Sequence, residues 1–323
     1  MVINMKTLTY KPRTNTSTIW QRSMRRWQLY VMLVIPFSLV LIFNYFPMFG
    51  IQIAFKNFQA AKGIWGSDWV GFLHFKTFFK SFYFDRVVRN TIIISLYSLV
   101  VNFPLQIIFA LLLNTVVNAR YKKLVQTVTY MPHFISMVVL VGMVFQFFNN
   151  VSGIYGWIYR LLNEGQFPKD LFSNAKHFIH FYIWSGVWQE LGWGSVIYFA
   201  ALSAVDPQLH DAAQIDGASR FKRVIHVDIP AILPTASIIL ILSFGGIMSV
   251  GFEKIYLMQN NINLKYSEVI STYVYKVGMS GGAGSNFSYA TAIGLFNSVI
   301  NGILLVIVNT ISKKLNEDGT SLW

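Results

Sequence analysis

The chain has no cysteine, so disulfides, thiolate metal sites and cysteine nucleophiles are excluded. Charge is scarce as well. Only 12% of the 323 residues are Asp, Glu, Lys or Arg, against roughly 25% in a soluble domain. Acids are the rarer sign, 13 against 26 bases. A membrane-embedded hydrolase or glycosyltransferase needs metal ligands, clustered acids or a nucleophile with its base. No HExxH and no acidic cluster near the end of an apolar run occurs. The loop GMSGGAGSN at 278–286 lacks the Gly-Lys-Ser/Thr ending of a phosphate cradle, so it reads as a flexible connection. A cleavable leader is not expected. Residues 1–27 are polar and basic, the first apolar run is long enough to span, and no small-residue cleavage site follows it.

What the chain does have is apolar sequence: 54% hydrophobic and 16% aromatic residues. One soluble core cannot hide that much, so the expected fold is an all-α polytopic membrane protein. Six stretches supply the roughly 20 apolar residues of a spanning helix. They are 28–48, 88–116, 124–148, 177–204, 231–258 and 289–311. Pro36, Pro104, Pro132 and the pair Gly245-Gly246 fall inside them, which spanning helices tolerate.

The net charge of +13 comes from clusters between the runs. The tail holds Lys6, Lys11, Arg13, Arg22, Arg25 and Arg26. Later clusters are Arg120, Lys122 and Lys123, then Arg220, Lys222 and Arg223, then Lys313 and Lys314. Six spans put all four on one side, and the positive-inside rule makes that side cytoplasmic. This spacing speaks for topology and against nucleic acid as a partner. The expected organisation is a cytoplasmic tail (1–27), a spanning region (28–312) with a cytoplasmic insert at 205–230, and a cytoplasmic C-terminal tail (313–323). The first outer loop carries Trp65, Trp69, Phe72, Phe75, Phe78 and Phe79. These are either an interfacial aromatic belt or a docking surface for an external partner. Ala290, Gly294, Ser298 and Gly302 recur every four residues and would let another helix approach.

The insert stands out by its polarity. Asp206-Pro207 is a cap followed by a first-turn proline. A short helix to Ile215 is then expected to end at Gly217, with Ser219 capping a second helix over 220–229. Pro230 is expected to stop that helix. Phe221, Val224, Ile225 and Ile229 share an apolar stripe, while Arg220, Lys222, Arg223 and His226 lie mostly off it. Such a hairpin either lies on lipid headgroups or docks a cytoplasmic protein.

The stretch DAAQIDGASRFKRVIHVDIPAILP at 211–234 resembles the EAA motif of permease subunits of bacterial ABC importers. Asp211, Ala212, Ala213, Asp216, Gly217, Ala218, Phe221, Pro230 and Pro234 hold the motif places, with Asp211 where Glu is usual. VGFLHFKTFF at 70–79 is similar to the segment before the family's second span. WQELGWGSVIYFAALSAVD at 188–206, SEVISTYVYKVG at 267–278 and YATAIGLFNSVIN at 289–301 resemble the carbohydrate branch, most of all permeases for oligo- and polysaccharides such as alginate. The Gly-Gly-Gly-Pro of maltose-type permeases is absent, and Gln259-Asn260-Asn261 stands there. The resemblance implies that the hairpin couples to a cytoplasmic ATPase. It also implies a second permease subunit in a heterodimer, two ATPase subunits and a periplasmic or lipid-anchored solute-binding protein. ATP and Mg would sit on the ATPases, and this chain would bind no cofactor or metal and would not be an enzyme. The location implied is the bacterial cytoplasmic (inner) membrane.

Polar residues inside apolar runs are functional candidates. Sugars are held by amides, carboxylates and aromatic rings. Trp184, Trp188, Gln189 and Glu190 supply these on the fourth run, Asn102 and Gln106 on the second, Glu253 on the fifth, and Asn297 and Asn301 on the sixth. The same side chains also join helices to one another. Glu253 also has the reading of an interfacial pair with Lys254. His177 and His180 have an i, i+3 spacing but start a run, and read as interfacial.

Overall fold

The computed structural model describes residues 27–280 and 285–315. The expectations for the basic tail (Lys6 to Arg26), for the last residues and for the centre of the 278–286 loop fall outside them. Residues 1–52 and 53–323 form two units. In the first, α1 (Trp27–Val40) runs through a π-helical turn (Leu41–Tyr45) into tighter turns. It buries no side chain and is apolar on every side, a surface that suits a bilayer and not water.

Among its described residues the second unit has one antiparallel strand pair, β1 (Lys56–Asn57) and β2 (Asp68–Trp69), and is otherwise helices and their connections. Its helices are α2 (Leu73–Lys80), α3 (Tyr83–Thr115), α4 (Ala119–Tyr130), α5 (Met137–Phe147), α6 (Ile154–Leu162) and α7 (His177–Ser203). Then come α8 (Pro207–Ile215), α9 (Arg220–Gly245), α10 (Phe252–Met258), α11 (Ile270–Gly278) and α12 (Phe287–Leu315).

Among the described residues, four helical stretches are long and apolar enough to cross a membrane: Trp27–Phe55, α3, α9 and α12. The other two expected spans differ in kind. The third is bent by 102° between α4 and α5. Pro132 has no N–H to continue the ladder, and Ser136, extended at ψ 150, restarts it by accepting from Val139 N at 3.4 Å. The fourth forms as the single helix α7, but its His, Gln and Glu residues leave it less apolar than the other four. The fifth is shorter than expected. It stops at Gly245, where Asn301 of α12 accepts from Met248 N at 2.9 Å and donates to Ser249 Oγ at 2.8 Å. The freed backbone is thus satisfied from across the interface, as apolar surroundings require.

Three apolar clusters hold the unit together. Ile94, Val141, Phe178 and Ile255 join α3, α5, α7 and α10. Phe78, Val87, Ile270, Tyr273 and Ile293 join α2, α3, α11 and α12. Ala110, Tyr198, Leu202 and Ile232 join α3, α7 and α9 near the hairpin. Gly192 lets α7 touch α4, since a Cβ there would strike the Thr129 carbonyl. The segment after α10 is riveted to α3 by Glu268, only 2% exposed, which meets Arg86 Nη2 at 2.6 Å and Lys276 Nζ at 3.6 Å. The small-residue row of α12 is used at one end only. Ala290 packs on Gly278, while Gly294 and Gly302 face nothing within 4 Å.

Candidate functional site

The hairpin folds from local signals. Asp206 Oδ1 accepts from Gln208 N at 2.9 Å and opens α8. At the other end Gly217 has φ +76, its N–H bonds to Gln214 O at 3.1 Å, and Ala218 N bonds to Ala213 O at 2.9 Å. This paired closure needs a left-handed residue, which glycine adopts without strain. Ser219 Oγ accepts from Lys222 N at 3.4 Å and opens α9.

Pro230 does not stop the second helix. Residues 224–228 form a π-helical turn in which Ile229 N bonds to Val224 O, five residues back. Ile229 stays helical, and the wider turn accommodates the proline ring, so α9 continues through Pro230 and Pro234. The extra residue also splits the expected stripe. Val224 and Ile229 pack on the cluster near the hairpin, while Phe221 stays 73% exposed and Ile225 40%.

The hairpin tip therefore points outward. Asp211, Ala212, Asp216, Gly217, Phe221 and Pro230 are exposed, Ala213 and Ala218 half-buried, and Ile215 is 87% exposed. Asp211 has no hydrogen bond or ion pair among the described residues. An acid beside bare apolar side chains on a rigidly capped turn is equipped to dock another protein. At the base of the hairpin lies a buried acid, Asp228, 3% exposed. Its Oδ1 meets His210 Nε2 of α8 and Asn114 Nδ2 of α3, each at 3.4 Å.

The second polar region is a seam along α7. The Glu190 carboxylate faces His133 Nδ1 at 3.0 Å, and the imidazole stacks on Trp193 with ring centroids 4.5 Å apart. Gln189, 3% exposed, donates to Ile135 O at 3.0 Å in the α4–α5 bend. Lys254 of α10 is 6% exposed. Its Nζ donates to Tyr182 O at 2.8 Å and lies 4.9 Å from the Tyr182 ring centroid. Gly186 makes room for it, since a Cβ there would be 3.1 Å from Nζ. Glu253 turns outward, so no Glu253–Lys254 ion pair forms.

Trp184 and Trp188 lie on another side of α7, half-exposed along an apolar cavity of about 470 Å³ shared with Met143, Phe148 and Phe181. Asn102 Nδ2 donates to Ser98 O at 2.9 Å within α3. The Gln106 amide lies against Gly194 of α7. Asn301 caps the break after α9, and Asn297 keeps a buried Oδ1 without a hydrogen-bond partner among the described residues. His177 and His180 go to separate partners, Leu171 O at 2.9 Å and Tyr97 Oη at 3.2 Å. His133 was not singled out from the sequence, and Lys254 only as a neighbour of Glu253, because their partners lie 57 and 72 residues away. A histidine or lysine inside an apolar run was the available signal.

A family model described as "binding-protein-dependent transport system inner membrane component" matches residues 104–317. Protein LplB of Bacillus subtilis is 40% identical over 93% of each chain. The polygalacturonan/rhamnogalacturonan transport system permease protein YteP of the same organism is 39% identical over 90% of this chain and 89% of its own. Among solved structures, a bacterial ABC transporter involved in import of the acidic polysaccharide alginate superposes with TM-score 0.82 at 35% identity. It covers 92% of this chain and 99% of its own. The alginate ABC transporter in complex with an alginate pentasaccharide-bound periplasmic protein gives 0.83 at 35% identity, over 93% and 99%. With fold and relatives in agreement, the chain belongs to the binding-protein-dependent transport system inner membrane components, the membrane-spanning permeases of ABC importers.

Proposed function

We propose that this chain moves oligosaccharides across the bacterial cytoplasmic membrane by alternating access, with acidic oligosaccharides as the substrate class to test first. The relatives named for polygalacturonan/rhamnogalacturonan and for alginate support that substrate class. The observation that carries the coupling half of the reading is the hairpin. It presents Asp211, Ile215 and Phe221 outward on a turn fixed by Gly217.

In this reading the tip seats in a cleft of a cytoplasmic ATPase, and both chain ends are cytoplasmic. A second, non-identical permease subunit faces this one, each holding one ATPase. A periplasmic or lipid-anchored binding protein delivers the sugar to the outer loops, where the aromatic residues of 65–79 lie. ATP and Mg belong to the ATPases. Their closure opens the permease outward, and hydrolysis returns it. Trp184 and Trp188 offer ring faces to a sugar along the cavity of α7.

The test is uptake and ATP hydrolysis by the complex reconstituted with its binding protein and a uronic-acid oligosaccharide. Asp211→Lys reverses the charge at the tip. Gly217→Pro removes both the N–H bond and the left-handed backbone. Both variants are expected to insert normally yet lose ATPase co-purification or sugar-stimulated hydrolysis. Native uptake by either would sink the docking assignment. Stimulation by neutral sugars alone would redirect the substrate.

A further inference from the structure

We infer that Asp228 is a positioning residue that ties the first hairpin helix to the spans and carries motion between them. The inference rests on the hairpin being the ATPase-docking element. No side chain of α8 is fully buried. Among the described residues, two polar side-chain contacts link it to the chain beyond its own cap. Gln214 Oε1 accepts from Arg223 Nη1 at 3.5 Å, which stays inside the hairpin. His210 Nε2 reaches Asp228 Oδ1 at 3.4 Å, which leaves it.

Asp228 stands where the π-helical turn passes into the apolar part of α9. The same Oδ1 accepts from Asn114 Nδ2 at 3.4 Å, next to the end of α3. One carboxylate oxygen thus gathers three elements. A carboxylate only 3% exposed is costly without partners, and these two groups supply them. A cavity of about 400 Å³ opens beside the joint, lined by Asn114, Pro207, His210, Arg223 and Asp228 among others. A push on α8 therefore reaches α3 and α9 through this oxygen.

The experiment uses the full complex in proteoliposomes with its binding protein and sugar. Asp228→Asn keeps the shape and removes the charge, and Asn114→Ala removes the far partner. Both are expected to retain co-purified ATPase. Sugar-stimulated hydrolysis and uptake should fall by about tenfold, the scale of one lost charge-assisted hydrogen bond. The exchanged pair His210→Asp with Asp228→His should recover most of the uptake that Asp228→His alone loses. Rescue by exchange shows that the two side chains act as a pair, and lost coupling with co-purified ATPase retained separates positioning from folding. Native uptake in Asp228→Asn, loss of ATPase co-purification in both single variants, or no recovery in the exchanged pair would each overturn the inference. A native chain that co-purifies no ATPase would instead overturn the docking assignment, before Asp228 is reached.

Discussion

The hairpin tip and the seam of α7 are built from similar side chains set to opposite uses. At the tip, Asp211, Ile215 and Phe221 face outward, and the acid has no partner among the described residues. In the seam, Glu190 is held by His133, Gln189 by the Ile135 carbonyl, and Lys254 by the Tyr182 carbonyl. A polar group facing water costs little to leave unpaired, so the tip is free to keep its bonding capacity for another molecule. A polar group in an apolar interior must be matched at once. The difference predicts which readout each region moves: the tip changes coupling at constant stability, and the interior changes stability first.

The interior side of that comparison is tested most severely at the N-terminal end of α3. Arg86→Ala leaves the buried Glu268 with Lys276 at 3.6 Å as its remaining ion-pair partner. Breaking a buried pair costs about 3–5 kcal/mol, so the melting temperature of the detergent-purified complex should fall sharply. An unchanged melting temperature would mean the 264–278 segment is held by other contacts. The seam comes next. Glu190→Gln and His133→Ala should each destabilise. Together they should cost less than their sum, with a coupling of roughly 0.5–3 kcal/mol. Strict additivity would show that the two side chains do not act as a pair. The smallest effect belongs to Glu253, which lies in the interior helix α10 but faces outward. Glu253→Gln should leave stability within about 0.5 kcal/mol, as surface changes do. A larger loss would put it among the interior residues and blur the division.

The tip was legible in the sequence because its signals are local. Asp206, Gly217 and Ser219 each act within a few residues of themselves, and each does in the structure what its position implied. The continuation of the helix through Pro230 was not legible, because a wider turn can absorb a proline and no single residue announces that turn. The extents of α3, α7 and α12 were likewise readable from apolar length alone. The two breaks were not. Pro132 and Gly245 are residues that a spanning helix often tolerates. Whether the helix breaks is decided by groups far along the chain, such as Asn301, 53 residues from the N–H it receives. The pairs of the seam share that limit. Their residue types could be named in advance, but not who meets whom.

The π-helical turn at 224–228 has a further consequence, for direction. Each residue added to a helix rotates the turns before it by about 100° relative to the turns after it. The single extra residue thus acts as a phase setting between the greasy part of α9 and the tip. Removing it would leave the membrane helix intact, yet swing Phe221 about a quarter-turn around the axis. The address of the hairpin is therefore set partly by the spacing between Phe221 and Pro230, where the helix takes one residue more than an α-helical turn.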